Sequence, residues 1–328
     1  MYDLHENPLP YTVWGPEHID EGSINQMDAA MRLPITVSGA LMPDAHVGYG
    51  LPIGGVLATA NTVIPYAVGV DIACRMRMSI FELSPNVLGQ QVGRFENALL
   101  ENTLFGAGKQ YQGHSCAEHE VLDDPDWQAT GFLNTLKDKA YRQLGTSGSG
   151  NHFVEWGAFT LDADDLGLKQ GHYLALLSHS GSRGVGYAIA DRFSKLAKEQ
   201  HPALDKSVQH LAWLSLDWSL GYEYWVSMSL AGRFAAANHA VIHQRVAKAI
   251  GERPAATIEN HHNFAWKETL TDDNGNEREV VVHRKGATPA GAGVLGIIPG
   301  SMGDRALWCV VKAMTRRLTP LRMVQAAR

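Results

Sequence analysis

A chain that uses Asp71, Cys74, His152, His179, His261 and His262 as one site must fold four separated segments onto one point. These side chains, all of metal-binding type, lie in four polar and mostly glycine-rich islands. The islands are Gly69-Val70-Asp71-Ile72-Ala73-Cys74, Gly148-Ser149-Gly150-Asn151-His152, Ser178-His179-Ser180-Gly181-Ser182-Arg183-Gly184 and Asn260-His261-His262-Asn263. A carboxylate, a thiol and several imidazoles make a mixed oxygen, sulfur and nitrogen donor set. Such a set suits a borderline divalent ion such as manganese or zinc better than calcium or magnesium. The glycines let backbone N–H groups close on an anion such as a phosphate.

The remaining sequence bounds what such a site can belong to. The 328 residues suffice for one large domain or two ordinary ones. With 45% hydrophobic and 19% charged residues the chain has the balance of a soluble globular protein. No apolar run reaches the length of a membrane span, and the polar, acidic start Met1-Tyr2-Asp3-Leu4-His5-Glu6 is unlike a signal peptide. Three cysteines, Cys74, Cys116 and Cys309, make no disulfide framework and fit a reducing cytoplasm. The net charge of −6 gives no global pull toward nucleic acid, so any RNA or DNA contact needs a local basic groove.

Mixed strand and helix patterns predict an α/β or α+β fold. Residues 41–83 read as short apolar strands broken at Met42-Pro43-Asp44, Gly48-Tyr49-Gly50, Gly54-Gly55 and Ile64-Pro65. Periodicity predicts helices over 128–144, 188–199 and 225–250, the first with Phe132, Leu133, Leu136, Ala140 and Leu144 on one face. Tyr173 to Leu177 reads as a strand running into the His179 loop. Residues 256–270 and 278–284 read as strands joined by the turn Asp272-Asp273-Asn274-Gly275. The donors then fall at strand ends and loops, where a scaffold usually displays chemistry.

Each motif has a bland counterpart. His5, His18, His201 and His239 fit ordinary core or surface positions. Ser180-Gly181-Ser182-Arg183-Gly184 suits a phosphate or is a tight turn. His283-Arg284-Lys285-Gly286-Ala287-Thr288 places three basic side chains beside a turn, to hold a nucleotide or RNA phosphate or to end a solvated strand. Pro299-Gly300-Ser301-Met302-Gly303 is another backbone cradle. There is no Walker A pattern, and Gly145-Thr146-Ser147-Gly148-Ser149 fails the hydrolase pattern at its last residue.

Together these segments resemble the RtcB family of GTP-dependent RNA-splicing ligases. The resemblance is carried, in family order, by Met42-Pro43-Asp44-Ala45-His46-Val47-Gly48-Tyr49-Gly50, Val68 to Cys74, Gly150-Asn151-His152-Phe153-Val154-Glu155, His179 to Gly184, His262-Asn263, His283 to Thr288 and Ile298 to Gly303. It implies the family's own α/β architecture, with a metal site in a central cleft. It also implies joining of RNA 3′-phosphate or 2′,3′-cyclic phosphate ends to 5′-hydroxyl ends with GTP and two manganese ions. By the same resemblance Asp71, Cys74, His152, His179 and His262 are metal ligands, with Cys74 bridging. Asn151, His152, Glu155, Asn263 and Pro299, Gly300, Ser301 and Met302 contact the guanylate.

One departure stands out. The family continues to a Ser-His-Gly-Ala-Gly-Arg segment whose histidine is guanylylated, then to a lysine that contacts guanine, and this chain contains neither. Residues 1–304 are expected to form the catalytic domain, incomplete at its end, and residues 305–328 a non-family tail. That tail has six basic and no acidic residues, whereas residues 1–304 carry a net −12. Shifted by one base, codons permitted for Trp308 to Thr315 include Val-Val-Arg-Gly-Lys-Gly-Asn-Asp. Those for Arg322 to Arg328 include His-Gly-Ala-Gly-Arg. A single-base deletion near the Asp304 codon would account for both, and the chain as it stands is expected to be inactive in GTP-dependent sealing. A metal-dependent phosphoesterase or a metal-bound RNA-binding remnant is the alternative. A structural zinc protein would use a cysteine-richer set.

Overall fold

The computed structural model describes residues 4–271, 274–298 and 306–310. Two sheets organise them. In the first, strands β1 (Thr36–His46) and β2 (Ile53–Thr59) form an antiparallel pair. The next strands along the chain are β3 (Arg75–Phe81), β4 (Phe153–Leu161), β5 (Gly171–Ser180), β6 (Ala256–His261), β7 (Asn263–Thr271) and β8 (Glu277–Lys285). The five-stranded sheet runs from a short edge strand, Thr12–Val13, through β1, β2 and β8 to β7. The four-stranded sheet has the order β6-β3-β5-β4, all antiparallel. Mixed helix and sheet agree with the expected class, and the antiparallel pairing makes it the α+β form.

The helices that matter for the site are α1 (Glu21–Met31), α2 (Pro65–Val68), α3 (Gly131–Gln143), α4 (Arg183–Gln200) and α5 (Ser219–Ala249). α3 starts where Thr130 accepts from the Leu133 N–H at 3.1 Å, and it buries Leu133, Leu136 and Ala140 as its 3.6-residue pattern predicts. α4 begins five residues earlier than its apolar period, because Ser182 and Arg183 already belong to the functional loop. α5 buries residues around most of its circumference, including Tyr224, Met228, Phe234 and Ile242, so it is a core helix. The largest apolar cluster joins α1, α2, α3, α4 and α5 to the five-stranded sheet, through Leu41, Leu57, Ala265 and Val281. A second cluster packs Ile242 and Val246 of α5 on Phe81, Leu174 and Leu176 of the four-stranded sheet.

Three expectations are corrected. Met42-Pro43-Asp44 lies inside β1 and Gly54-Gly55 inside β2, at positions where the β1–β2 register shifts between Leu41 and His46. The strand before His179 does not end first, since β5 continues through Ser180. The span 256–270 is two strands, divided at His262. Asp272 and Asp273 of the expected turn lie outside the described residues. Leu307–Val310, within the segment expected to be foreign, forms a strand antiparallel to Leu295–Ile298, and Trp308 packs on Phe159 with ring centroids 5.7 Å apart.

Candidate metal centre

The division at His262 places the site. β6 belongs to the four-stranded sheet and β7 to the five-stranded one, so the chain changes sheets at this residue. Its N–H donates to the Cys74 carbonyl at 3.0 Å, and its carbonyl accepts from Ala287 N–H at 3.1 Å. His262 is thereby fixed at the seam between the sheets. Cys74 immediately precedes β3, after a tight turn in which its N–H bonds the Asp71 carbonyl at 3.2 Å and Ala73 adopts φ 57°. A left-handed alanine is costly, and it persists where the surroundings over-determine it. Here Ala73 N–H is held by the Asn263 carbonyl at 2.7 Å.

The five expected donors converge. Asp71, Cys74 and His152 form one group, and Cys74, His179 and His262 form another, with donor atoms within 4.8 Å of one another in each. The Cys74 sulfur belongs to both. It lies 3.1 Å from His179 Nε2 and 3.4 Å from His152 Nε2. His179 Nε2 is 3.2 Å from His262 Nε2, and His152 Nε2 is 2.7 Å from Asp71 Oδ2. His261, the sixth side chain of the islands, is in neither group. Its ring packs against Phe264 and Trp266 at 5.2 and 5.1 Å. His261 ends β6, and the chain turns from one sheet to the other at His262, which separates the two neighbours.

The surroundings fit a cation. The Asn151 carbonyl, 2.9 Å from His179 Nδ1, can only accept, so Nδ1 carries the proton and Nε2 presents a lone pair to Cys74 and His262. Burial pushes the His179 imidazole below its ordinary range and the His262 imidazole down to about 3, so both are neutral at neutral pH, the form in which an imidazole can ligate. Asp71 Oδ2 is buried and accepts no well-formed hydrogen bond, despite its closeness to His152. Burial raises the Asp71 carboxyl, but the nearness of His152 and the charge of Arg183 outweigh it and hold the group below its usual range. Burial, then the Asp71 charge, pushes the Cys74 thiol well up, so a cation is what would make it a thiolate.

Arg183 adds a constraint that the sequence alone did not give. Its Nη1 is 3.0 Å from His152 Nδ1, and a guanidinium only donates. The His152 proton therefore sits on Nε2, facing Asp71. Ligation through Nε2 requires that proton to leave or move to Nδ1, and Arg183 to turn away. The glycines of the islands serve this packing. A Cβ on Gly181 would overlap the Asp71 carboxylate, and one on Gly148 would overlap the Arg183 guanidinium. Ser182, instead of capping α4, donates to the Ile72 carbonyl at 2.6 Å and ties the two loops together.

The residues expected around a guanylate are placed unevenly. Asn151 is exposed beside His152, and Glu155 is a half-buried β4 residue whose carboxyl burial pushes up. Asn263 has both ends of its amide engaged, Oδ1 with Gly286 N–H at 2.8 Å and Nδ2 with the Asp71 carbonyl at 3.4 Å. Pro299, Gly300, Ser301 and Met302 lie outside the described residues. The basic triplet on β8 matches neither sequence expectation, because β8 lies between β2 and β7 and buries it. His283 accepts from Ile64 N–H at 2.9 Å and donates to the Leu57 carbonyl at 3.1 Å. Arg284 makes a two-point pair with Glu268, and Lys285 donates to the Tyr49 and Leu51 carbonyls at 2.6 and 2.9 Å. Two cavities of about 580 Å³ lie elsewhere, one beside Arg77, Ser79 and His243 and one beside Arg77, Asp124 and Arg233, and none of the five donors lines either. Among the described residues no helix is long and apolar enough to cross a membrane.

Comparison with known proteins places the whole chain. The sequence model of the family described as tRNA-splicing ligase RtcB matches residues 26–126 and 116–317. The RNA-splicing ligase RtcB of Escherichia coli K12 is 32% identical over 292 residues, covering 81% of this chain and 68% of that protein. The tRNA-splicing ligase RtcB of Nanoarchaeum equitans is 29% identical, with 87% and 71% covered. That of Thermococcus kodakarensis is 30% identical, with 84% and 69% covered. Most of the sequence, including all five donors, lies within the family match, and the chain belongs to the RtcB family.

Proposed function

We propose that this chain is built as an RNA ligase that joins RNA ends bearing a 3′-phosphate or 2′,3′-cyclic phosphate to 5′-hydroxyl ends, using GTP and two manganese ions. The observation that carries this reading is the sharing of one cysteine sulfur by two three-donor groups. Asp71, Cys74 and His152 would hold one ion, and Cys74, His179 and His262 the other. Such a pair, when bound, neutralises phosphate charge, orients an in-line attack and stabilises the leaving pyrophosphate. The protein's own part is orientation: the Asn151 carbonyl fixes the His179 tautomer, and Arg183 governs when His152 can ligate. Asn151, His152, Glu155, Asn263 and Pro299 to Met302 are assigned to the guanylate. Free Cys74, Cys116 and Cys309 support a cytoplasmic setting.

The nucleophile segment Ser-His-Gly-Ala-Gly-Arg does not occur in residues 1–328. In this reading the chain by itself forms no covalent guanylate and seals no RNA with GTP. His283 is no substitute, since both its nitrogens are engaged in the core. His261 packs in an aromatic pair, and burial lowers its imidazole to about 3. Incubation with labelled GTP and manganese tests this, and a labelled protein band would overturn the predicted inactivity. Sequencing the DNA across and beyond the Asp304 codon tests the frame. A neighbouring-frame His-Gly-Ala-Gly-Arg supports the deletion, and an unrelated sequence removes it.

A second reading, a metal-dependent phosphoesterase or RNA-binding remnant, needs only the donor groups and a metal-activated water. Manganese-dependent phosphate release from 3′-phosphate RNA, lost in Cys74→Ala, would select it.

A further inference from the structure

If the chain handles RNA ends, as proposed above, one surface is suited to the unpaired strand. α4 starts at Arg183, beside His152. One turn along it stands Tyr187, 60% exposed. Two turns further, Lys195 lies within electrostatic reach of both Tyr187 and Tyr66. Lys198 sits 5.0 Å over the Tyr66 ring and 3.4 Å from His210 Nδ1. The His210 ring meets Tyr66 edge-on at 4.9 Å and lies 6.3 Å from the ring of Tyr49, which is 69% exposed. Tyr66, Lys198, His210 and Tyr49 form one connected patch, and Tyr187 and Lys195 precede Lys198 along the same helix, so rings and ammonium groups are interleaved.

Two members of the patch are tied to the donor segments by short chain links. Tyr66 lies in α2, five residues before Asp71. Tyr49 is held by Lys285, whose neighbour Gly286 bonds the Asn263 amide. The loop that displays Tyr49 is clamped. Gln26 makes two hydrogen bonds to Gly48, at 2.5 and 2.9 Å, and Gly50, at φ 75°, packs against the His210 carbonyl, where a Cβ would collide. A rigid loop presenting an exposed ring loses little entropy on stacking. The local charge runs against the chain's net −6. Lys195 pairs with Asp191 at 2.8 Å, but Lys198 pairs with no carboxylate among the described residues, and Lys198 and Lys285 both impose their charge on His210. Alternating rings and cations suit a partner whose flat apolar faces alternate with phosphates.

We propose that Tyr187, Tyr66, His210 and Tyr49, with Lys195 and Lys198, form the track on which a single-stranded RNA end stacks beside the donor cluster. A duplex hides its base faces and cannot use these rings.

Fluorescence anisotropy of the full chain with a short labelled single-stranded RNA ending in a 3′-phosphate tests this. Tyr187→Ala should raise Kd about ten-fold, while Tyr187→Phe, which keeps the ring, stays within about two-fold. Lys198→Gln should lower the slope of log Kd against log salt by about 0.7. Trp218→Ala serves as control, being equally exposed at 60% but outside the track, and should change nothing. Tyr187→Ala binding as tightly as wild type overturns the track, as does an equal loss in Trp218→Ala or on a blunt RNA duplex. Failure of the wild-type chain to bind RNA overturns the ligase reading and the track together.

Discussion

Ser178 and His179 are neighbours on β5, and their side chains enter two different kinds of histidine cluster. On the His179 face, imidazole nitrogens meet a thiol, a carboxylate and one another, with Nε2 of His179 and His262 3.2 Å apart. On the other face the partners are hydroxyls. Ser178 Oγ lies 2.7 Å from His239 Nδ1 and 2.8 Å from His243 Nε2, and Ser79 Oγ lies 2.8 Å from His243 Nδ1. Both nitrogens of His243 are thus met by groups that can donate or accept as required. A buried imidazole saturated by hydroxyls holds α5 to the sheet. Imidazole nitrogens crowded together, beside a thiol and a buried carboxylate oxygen that accepts no well-formed hydrogen bond, are an arrangement that a cation would satisfy.

The largest expected effect tests that distinction at its centre. Cys74→Ala removes the sulfur common to both groups, so both manganese affinities should fall. Loss of an outer partner alone typically costs about ten- to a hundred-fold, so loss of a shared ligand should exceed a hundred-fold. Isothermal titration with manganese measures it, and two ions retained at wild-type affinity would mean that the sulfur is a bystander. Gly181→Ala should act on one site only. Its new Cβ would overlap the Asp71 carboxylate, which belongs to one group only. Titration should then show one site near wild-type affinity and one weakened roughly ten- to a hundred-fold. Equal damage to both would mean that the two groups behave as one.

His243→Ala probes the opposite face. It leaves the Ser79 hydroxyl without its partner in the core and Ser178 with His239 alone, which should destabilise the fold by about 2 kcal/mol. Chemical denaturation measures this, and manganese affinity should be unchanged. A variant that kept its stability but lost manganese would erase the difference between the faces.

The legible part of this molecule was its local pattern. The 3.6-residue period located α3 and the body of α4 and α5, and the polar islands pointed to Asp71, Cys74, His152, His179 and His262. What stayed hidden depends on sheet order. His283, Arg284 and Lys285 looked like a display of charge because nothing local says that β8 is flanked on both sides by strands. His261 and His262 were equivalent until the switch between sheets turned them apart. Ser178, His239 and His243 left no trace, since the hydroxyl and the imidazoles are over sixty residues apart and meet only when α5 packs on β5. The island glycines were readable as anion-binding backbone, yet at Gly148 and Gly181 the missing Cβ makes room for Arg183 and Asp71.

The smallest effects are the pH slopes, and the two faces should give opposite kinds. On the donor face, burial and Asp71 hold the Cys74 thiol well above its ordinary pKa, so it is protonated at neutral pH. Ligation must expel that proton. Manganese affinity should therefore rise about ten-fold per pH unit through the neutral range, with proton release visible as a dependence of binding heat on buffer ionisation. His262, lowered to about 3, does not compete for protons there. On the other face no metal is involved and the slope appears in stability. Burial lowers His239 and His243 well below the ordinary imidazole range, so below pH about 6.5 the unfolded chain takes up protons that the folded chain refuses. Each contributes nothing above that pH and costs about 1.4 kcal/mol per unit as pH falls toward its folded value. Denaturation of wild type between pH 7 and 5 should show this loss, and His243→Ala should show a shallower one by a single histidine's share. An unchanged slope in His243→Ala would mean that His243 titrates alike in both states, and that its hydroxyl partners do not hold it neutral.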